Sequence, residues 1–452
     1  MKITKVKNRN LSPNGLRLDA SLYLSAGVQL LSLLDSPFVE TKSLKKVTSN
    51  IFYGNRSRRV YVNNPKSGIP FIKGADITKS NFSSLKLISR KRTKDLQSYA
   101  LEEGWTLITR SGSIGNTAFV NKDFIGKAAS DDIIRVCPQD IPAGFLYAYL
   151  SSKYGNILLT QSKYGAVIQH IEPEHIENLL VPIFPESKQQ EIHNLIVESA
   201  NLRVEANRLL EEAITIFDNN IGKSDFLFNY QTKALKINER NLFSNRLDAQ
   251  FAIAYNEIKQ EKRNFENTPI YSVASNIFVG NRAKRNYVDN GIPFLSSSDM
   301  MLFNPIRYAK QISKKSSNLN VLQVAKGDIL ISRSGTIGNT VLVGQELSGC
   351  AISEHALRLV IDKSKIAPEY VYCYLNTLQG KRLMEASSYG SVIITLNEDY
   401  VGNILLPILN KEQIGKIIEK VSDYSRKMDK ATIKETQAIQ LVEKEIESWQ
   451  KS

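Results

Sequence analysis

The sequence predicts an α+β protein in which two repeated α/β globular units are separated by two long, antiparallel, coiled-coil-like helices with a pseudo-twofold relation between the halves. Three observations lead to this prediction. The segment ITRSGSIGNT at residues 108–117 returns almost unchanged as ISRSGTIGNT at 331–340, strand-like runs surround both copies in the same order, and a heptad pattern follows each copy.

The repeat extends well beyond these ten residues. Matching segments are RNL at 9–11 and 240–242, RLDA at 17–20 and 246–249, IFYGNR and IFVGNR at 51–56 and 277–282, IPF at 69–71 and 292–294, and Tyr-Gly at 164–165 and 389–390. The order is kept and the offset between copies stays between 231 and 223. A period this long indicates duplicated domains rather than a solenoid.

Each copy begins with a strand-rich region and ends in helix. Apolar runs such as IPFIKGADIT, WTLITRSG, NTAFV and DIIRVC are broken by Gly, Pro, Asn and Ser, which predicts short strands joined by tight turns. Leu146, Tyr149, Leu150 and Ile157 have helical spacing after Pro142, so we predict a helix over 143–159.

Two long helices are predicted, at 186–222 and 411–452. Their apolar seams are Leu195, Ser199, Leu202, Ala206, Leu209, Ala213 and Ile216 in the first, and Val421, Met428, Ile439, Val442, Ile446 and Trp449 in the second, the latter interrupted by Ser425, Thr432 and Glu435. At 1.5 Å per residue each helix would span roughly 50 Å. We expect the two stripes to pack together and the polar interruptions to fix the register; two unrelated surface helices are the alternative. The first unit then occupies 1–185, and a connector with the second unit occupies 223–410.

Composition limits the class of protein. The chain has 452 residues, 42% of them hydrophobic and 23% charged, which is ordinary for a folded domain. No apolar run is long enough for a membrane span, and the N-terminus lacks a signal-peptide pattern. Three cysteines without CxxC spacing argue against a disulfide framework and against a thiolate metal site. These observations predict a cytoplasmic protein that does not engage a membrane.

The net charge of +14 is concentrated outside the long helices. Residues 186–218 contain seven acids and three bases, and residues 411–450 contain eight of each, so the rest of the chain carries +18. Such a charge predicts a polyanionic partner, with mere solubility as the alternative. Its position on the repeated units favours nucleic acid.

Two basic turns are candidate DNA contacts. Arg56, Arg58 and Arg59 follow a Gly-Asn pair between Tyr53 and Tyr61, and their counterparts are Arg282, Lys284 and Arg285. Guanidinium groups suit phosphate contact and bidentate readout of guanine; a solvated turn is the alternative. A second run, Arg90, Lys91 and Arg92, is more typical of a phosphate-steering surface.

The repeated loops supply the next candidates, which are Arg110, Ser111 and Asn116 in the first copy and Arg333, Ser334 and Asn339 in the second. Their glycines permit positive φ, so the loop could hold a phosphate on backbone N–H groups. A tight turn that closes the same sheet in both copies explains the pattern equally well.

No catalytic or metal-binding residue is predicted. Gly222-Lys223-Ser224 has Phe217 where a phosphate-binding loop needs its first glycine. His170 and His175 correspond to Thr395 and Tyr400 in the second copy, which argues against zinc. Asp131-Asp132 corresponds to Glu354-His355, so a carboxylate pair is not preserved. No Asn-Pro-Pro-Tyr or Asp-Pro-Pro-Tyr element of a base-amino methyltransferase occurs.

Two basic units, each followed by a long helix, with RLDA near each start and RSG(S/T)IGNT in each middle, resemble the specificity subunit of type I restriction–modification enzymes. The resemblance covers essentially the whole chain. It implies two target recognition domains that each read one half of an asymmetric bipartite site in double-stranded DNA, and helices that pair antiparallel and dock two methyltransferase subunits, which restriction subunits then join.

The resemblance also implies a chain without catalytic residues that binds no cofactor, with S-adenosylmethionine, ATP and Mg²⁺ on partner subunits. Because two recognition domains should differ where they read bases, we expect base readers among divergent positions, namely Lys73, Gln169 and His170 in the first copy and Ser297, Arg307 and Thr395 in the second. The alternatives are the specificity subunit of a related type II system, a self-contained DNA-modifying enzyme, and an adaptor that binds DNA non-specifically.

Overall fold

The computed structural model describes residues 30, 33–34, 39–161, 170–221, 265–282, 284–390 and 394–449. The RLDA segments, the first Tyr-Gly pair and Gly222-Lys223-Ser224 lie outside these residues. The chain divides into two compact units. Unit 1 comprises Met1–Val204 with Lys430–Ser452, and unit 2 comprises Glu205–Asp429.

Unit 1 contains three antiparallel or mixed sheets. Its strands are β1 (Thr41–Ser43), β2 (Thr48–Phe52), β3 (Tyr61–Val62), β4 (Gly68–Ile72), β5 (Leu87–Ser89), β6 (Thr106–Thr109), β7 (Thr117–Phe119), β8 (Ala128–Ala129), β9 (Ile133–Pro138) and β10 (Leu180–Pro182). The sheet orders are β2-β9-β6-β7, β3-β5-β4-β8 and β1-β10. Among the described strands of this unit, only the β4–β8 pair is parallel.

The helices of unit 1 include α1 (Ala143–Ser151), α2 (Lys153–Gln161), the short α3 (Pro173–Ile176) and the first part of α4 (Glu186–Ile221), and the end of the C-terminal long helix also belongs to this unit. The sequence predicted one helix over 143–159, whereas the chain breaks at Ser152, which is extended (φ −66°, ψ 161°). Its hydroxyl accepts a hydrogen bond from the Gly155 N–H at 3.1 Å. This side chain caps α2 and so starts a new helix.

Unit 2 repeats this topology. Its strands are β11 (Glu266–Pro269), β12 (Ala274–Val279), β13 (Tyr287–Val288), β14 (Ile292–Leu295), β15 (Lys310–Ile312), β16 (Ile329–Ser332), β17 (Thr340–Leu342), β18 (Ala351–Ile352), β19 (Ala356–Ile361) and β20 (Leu405–Ile408). The orders β12-β19-β16-β17, β13-β15-β14-β18 and β11-β20 match unit 1 strand for strand. The predicted duplication of an α+β domain is therefore confirmed.

The helices of unit 2 include α5 (Ile270–Val273), α6 (Leu319–Leu322), α7 (Pro368–Asn376), α8 (Leu378–Ala386), α9 (Glu398–Gly402) and the first part of α10 (Lys411–Ser448), together with the second part of α4. Thr377 occupies the position of Ser152, and its hydroxyl likewise accepts from the Gly380 N–H at 3.0 Å. The same interruption of the predicted helix is thus built into both copies.

The two long helices are confirmed and run antiparallel within each unit. In unit 1, Lys434 Nζ lies 2.9 Å from Glu198 Oε2. In unit 2, Lys427 pairs with Glu205 at 3.0 Å, and Lys420 with Glu212 at 2.6 Å. Exposed pairs of this kind contribute at most about 1 kcal/mol each, so the apolar seam must supply most of the stability.

The seam of α4 lies slightly to one side of the predicted stripe. Its most buried positions are Ile192, Ile196, Ser199, Ala206, Leu210, Ala213 and Phe217. Leu195, Leu202 and Ile216 are only half-buried at its flank. The spacing of three and four residues is kept, as expected for helices that pack along one stripe.

Polar side chains in the unit 1 seam form hydrogen bonds between the elements that pack there. Ser199 Oγ donates to the Ala431 carbonyl at 2.7 Å. Glu435 is fully buried and receives hydrogen bonds from Arg203 Nη2 at 2.8 Å and from the Tyr147 hydroxyl. The corresponding positions in unit 2 are Met428, Leu210 and Tyr372, so this charged layer exists in unit 1 alone among the described residues.

Within the described ranges, no helix combines the length and apolarity that crossing a membrane requires.

Candidate nucleic-acid interface

The candidate surface in each unit forms at one end of the four-stranded sheet. In unit 1, β2 leads into the first basic turn (residues 54–60) and β6 leads into the first glycine loop (residues 110–116). Both strands pair antiparallel with β9, which begins just after Asp131. The end of β2, the end of β6 and the start of β9 therefore lie together, and residues distant in sequence meet there.

The same construction recurs in unit 2. There β12 leads into the second basic turn (residues 280–286, of which 283 is not described), and β16 leads into the second glycine loop (residues 333–339). Both strands pair with β19, whose start follows Glu354.

One arginine of each basic turn is held by a carboxylate at the start of the central strand. Arg59 is paired with Asp131, and Arg285 Nη2 lies 2.8 Å from Glu354 Oε2. Each guanidinium also lies over an aromatic ring, Arg59 at 5.2 Å from the Phe71 centroid and Arg285 at 4.8 Å from that of Phe294. Burial opposes the charged form of both arginines, but the hydrogen bond to the carboxylate outweighs it and the pKa of each guanidinium is raised.

A second arginine of each turn projects into solvent. The side chains of Arg56 and Arg282 are 94% and 90% exposed, and each Nε lies 3.8 Å from the same carboxylate that holds its neighbour. Arg58 and Lys284 are exposed as well. Each turn thus presents one anchored arginine and at least two accessible cations, an arrangement that suits contact with phosphate or with base edges.

The anchoring carboxylate was not identified from the sequence. Asp131-Asp132 was compared with Glu354-His355 as a possible catalytic carboxylate pair. The second residue of the pair, Asp132, is a histidine in the other copy, so that role is not preserved. The first position keeps its charge in both copies, and its partner lies about 70 residues away in the chain. A carboxylate kept at corresponding positions of the two copies, as the arginine is, was the sequence signal that could have revealed the pair.

Glu354 gives this pair a pH dependence. Burial acts to raise the pKa of Glu354, but a backbone hydrogen bond and the hydrogen bond from Arg285 outweigh it and the pKa is lowered. A carboxyl whose pKa is depressed on folding contributes stability above its unfolded value, and this contribution is lost as the pH falls through the folded value.

Replacing Glu354 by glutamine is therefore expected to lower the thermal unfolding midpoint of the full chain at about pH 7 and to have a much smaller effect near pH 3. Thermal melts of the wild type and E354Q at both pH values check this. Glu266→Gln removes an exposed carboxylate of the same unit and serves as the control. An identical difference between E354Q and wild type at both pH values would contradict the assignment.

The two glycine loops have the same backbone. Gly112, Gly115, Gly335 and Gly338 all have φ between 70° and 83°. A Cβ on Gly115 would lie 2.7 Å from Thr160 Cγ2, and one on Gly338 would lie 3.3 Å from Met384 Cβ, so only glycine fits these two positions comfortably. The Thr109 N–H donates to the Asn116 carbonyl at 2.9 Å, and the Ser332 N–H donates to that of Asn339 at 2.8 Å. The loops are tight connections that close the sheet.

The partners of the glycine loops come from the segment before α3 or α9. Ser111 is bridged to His170, and Ser334 to Thr395. These bridges place His170 and Thr395 beside the loops, and both residues are partly buried. Gln169 lies outside the described residues.

The remaining candidates lie around the smaller sheet of each unit. Lys73 follows β4, is exposed, and lies with its Nζ 6.0 Å from the Tyr61 ring. Arg90, Lys91 and Arg92 follow β5 and are exposed, with Arg90 Nε donating to the Gly68 carbonyl at 2.9 Å. In unit 2, Ser297 is half-buried after β14, and Arg307 lies over the Tyr308 ring at 4.7 Å.

Two arginines are internal rather than available to a ligand. Arg135 is fully buried and donates to the carbonyls of Ala129 at 2.6 Å and Ile133 at 2.7 Å. Arg358 occupies the same place in unit 2 and donates to the carbonyls of Leu322 and Gln323, each at 2.8 Å. Burial lowers the pKa of Arg135 to about 10. Part of the basic excess therefore satisfies backbone groups inside the protein.

The described ranges contain no cluster of three or more His, Cys, Asp or Glu residues able to hold a metal. His175 Nδ1 accepts a hydrogen bond from the Glu172 N–H at 3.0 Å, which gives it a local structural role. The three cysteines are buried and unbonded, and burial raises the pKa of Cys137 to about 12 and that of Cys350 to about 11.

The chain is similar to solved structures of specificity subunits. It shares 14% identity with the S subunit of a type I restriction–modification system from M. genitalium (TM-score 0.39, covering 90% of this chain and 97% of that one). It shares 14% with the HsdS subunit from Thermoanaerobacter tengcongensis (TM-score 0.28, 91% and 96%). It shares 15% with a chain from a structure concerning assembly and conformational transition of the type I R-M system (TM-score 0.29, 92% and 97%).

No curated protein matches the sequence. The model of the type I restriction modification DNA specificity domain matches residues 40–196 and 259–440, which is most of the chain and includes both glycine loops and both basic turns. The chain therefore belongs to the type I restriction modification DNA specificity domain family.

Proposed function

We propose that this chain is the non-catalytic DNA-recognition subunit of a type I restriction–modification complex. In this proposal each unit reads one half of an asymmetric bipartite site in double-stranded DNA. The observation that carries the proposal is the repeated pairing of a basic turn with an anchoring carboxylate, Arg59 with Asp131 and Arg285 with Glu354. A protein that contacted DNA through one unit alone would need this arrangement only once.

Charge and aromatic character support DNA as the ligand. The accessible side chains of the basic turns are cationic, and the exposed rings of Tyr61 and Tyr287 lie next to them. Lys86 Nζ is 5.8 Å from the Tyr61 ring, and Lys310 Nζ is 5.3 Å from the Tyr287 ring. Cations beside aromatic faces can contact both the phosphates and the bases of DNA.

Differences between the copies support an asymmetric target. The scaffold residues agree, including the glycine loops and the buried arginines. The residues around them differ: Lys73 corresponds to Ser296, His170 to Thr395, and Asp132 to His355. Because these side chains present different hydrogen-bonding groups, the two units should prefer different base sequences.

The long helices are proposed to dock two methyltransferase subunits, which restriction subunits then join. The outer face of α4 in unit 1 is polar, with Glu191, Asn194 and Asn201 exposed. The seam residues are already used in packing, so a partner would engage this outer face. The proposal assigns S-adenosylmethionine, ATP and Mg²⁺ to the partner subunits.

Methylome mapping in cells that produce this chain together with its methyltransferase subunit tests the proposal. The expected result is one asymmetric bipartite motif that is methylated only when both proteins are present. Cells with either protein alone are the controls. Methyl transfer by this chain alone, or a symmetric motif, would overturn the proposal.

A further inference from the structure

The repeated arginine of the two glycine loops has different surroundings in the two units. Arg110 and Arg333 occupy the same position, because the Ile171 N–H donates to the Arg110 carbonyl at 3.1 Å and the Leu396 N–H donates to the Arg333 carbonyl at 2.8 Å. Their side chains nevertheless meet different neighbours.

In unit 1 the guanidinium is held on two sides. Arg110 Nε lies 3.1 Å from Glu172 Oε2, and its Nη2 pairs with the other oxygen of the same carboxylate. The guanidinium carbon also lies 4.2 Å from the centre of the Tyr53 ring. The side chains of Arg110 and Glu172 are only 17% and 18% exposed. The Nε/Nη2 edge of the guanidinium, which could fork a phosphate, is therefore occupied by the carboxylate, and one of its faces lies over the ring.

The electrostatic surroundings of Arg110 favour its charged form. Burial opposes the charge of Arg110, but the hydrogen bond to Glu172 and the charge of that carboxylate outweigh it, and the pKa of Arg110 is raised. The charge of this guanidinium is offset by the Glu172 carboxylate that it pairs with. A phosphate approaching the loop would therefore compete with an ion pair rather than meet an available cation.

In unit 2 each of these neighbours has been replaced. By the structural correspondence, Asn397 stands in place of Glu172, His355 in place of Asp132, and Val279 in place of Tyr53. The Asn397 side chain accepts from the Tyr400 N–H at 2.9 Å and so caps α9. Within the ranges the structure describes, the Arg333 side chain forms no hydrogen bond, ion pair or ring contact.

The surface around Arg333 is open to a ligand. His355 is 58% exposed, and its Nδ1 lies 3.4 Å from Ser334 Oγ. Gly335 and Thr336 at the loop tip are exposed, and a Cβ on Gly335 would meet nothing within 4 Å. The second basic turn emerges at the same end of the sheet, which makes Arg333 continuous with the proposed DNA surface of unit 2.

We propose that Arg333 contacts the DNA backbone. Arg110 stands in the same repeated motif, but it forms an intramolecular ion pair within unit 1. The same loop thus closes the sheet in both copies, and the arginine is available for a phosphate contact only in the copy that lacks counterparts of Glu172 and Tyr53. This inference rests on the proposed function, since it requires that unit 2 binds DNA.

The test uses the full chain assembled with its methyltransferase subunit, bound to duplexes that carry either the mapped motif or a scrambled sequence. Affinity is measured between about 50 and 200 mM salt. For R333Q the salt slope is expected to fall by about 0.9, so that affinity changes about 3.5-fold less across this range than in the wild type. A phosphate contact predicts equal loss on both duplexes.

Asn397→Glu is the matched variant, because it supplies the carboxylate that unit 1 has at Glu172. The introduced carboxylate should pair with Arg333 and lower the salt slope as R333Q does, while the arginine itself is retained. R110Q should lower the thermal midpoint while keeping the wild-type slope. Lys365→Gln removes a positive charge beyond the opposite end of β19 and controls for net charge.

An unchanged slope for R333Q would overturn the assignment, as would a loss confined to the motif-containing duplex, which would make Arg333 a base reader. A reduced slope for R110Q equal to that of R333Q would overturn the asymmetry. Failure of the wild-type complex to distinguish the two duplexes would instead refute the proposed function, whatever the slope of R333Q.

Discussion

Replacing Glu435 by alanine is expected to lower the free energy of unfolding of unit 1 by about 3–5 kcal/mol. Glu435 is fully buried in the helix seam, where it receives hydrogen bonds from Arg203 and Tyr147. The side chain of Arg203 is only 12% exposed, so the variant would leave a guanidinium in the seam without this carboxylate. Urea or thermal unfolding of the full chain measures the loss, which corresponds to roughly 10 °C in the unfolding midpoint.

Unit 2 provides the matched control for this layer. Its residues at the corresponding seam positions are Met428 for Arg203 and Leu210 for Glu435. The double variant R203M/E435L therefore copies a pair that the same fold already uses, and it should unfold near the wild-type midpoint or above it. If the single and double variants are equally unstable, the ion pair is not the origin of the loss.

The layer formed by Arg203 and Glu435 also favours one register of the two long helices within unit 1. A single buried polar position in an apolar seam disfavours every register in which its partner is missing. Arg203 and Glu435 meet only when residues 186–204 and 430–448 are aligned as in unit 1. The sequence indicated polar interruptions at Ser199 and Glu435, and the contacts of unit 1 give each of them a partner.

Removing the accessible cations of one basic turn is expected to impair recognition of one half-site only. Arg56→Ala with Arg58→Ala acts in unit 1, and Arg282→Ala with Lys284→Ala acts in unit 2. Each lost base contact costs about 1–3 kcal/mol of discrimination, so at least a tenfold loss of affinity for the full site is expected. Methylome mapping with each double variant should show relaxed sequence preference in a different half of the motif.

Controls for this experiment lie at the other end of each sheet. Lys45 precedes β2 and Lys365 follows β19, and both are exposed. Their alanine variants remove charge from the same units without touching the basic turns. If both turn variants relax the same half-site, the assignment of one unit to each half-site is wrong.

Point variants are preferable to truncation because of how the units are built. Unit 1 includes the end of α10 as well as the N-terminal part of the chain. A deletion that removes everything after α4 would expose the buried faces of Ile192 and Ile196. Loss of DNA recognition in such a fragment would then report unfolding of unit 1 as much as the absence of unit 2.

Much of the architecture could be predicted from the sequence because its signals are local. The heptad spacing in α4 and α10 and the repeated order of strands depend on residues close together in the chain. The helix after Pro142 was predicted as one segment, because apolar spacing continues across the break. Its interruption depends on the backbone of Ser152 and on a single hydroxyl, which periodicity does not register.

The sequence by itself determined that the protein is a duplicated α+β domain with two long helices and two basic turns, since each of these features is a pattern repeated along the chain. Only the tertiary structure decided which repeated arginines are available to a ligand. Arg110 and Glu172 are 62 residues apart in sequence, and Arg59 and Asp131 are 72 apart. Strand pairing brings such partners together. A guanidinium that pairs with a carboxylate and lies over a ring stabilises the fold, whereas the same guanidinium without these partners can bind a phosphate.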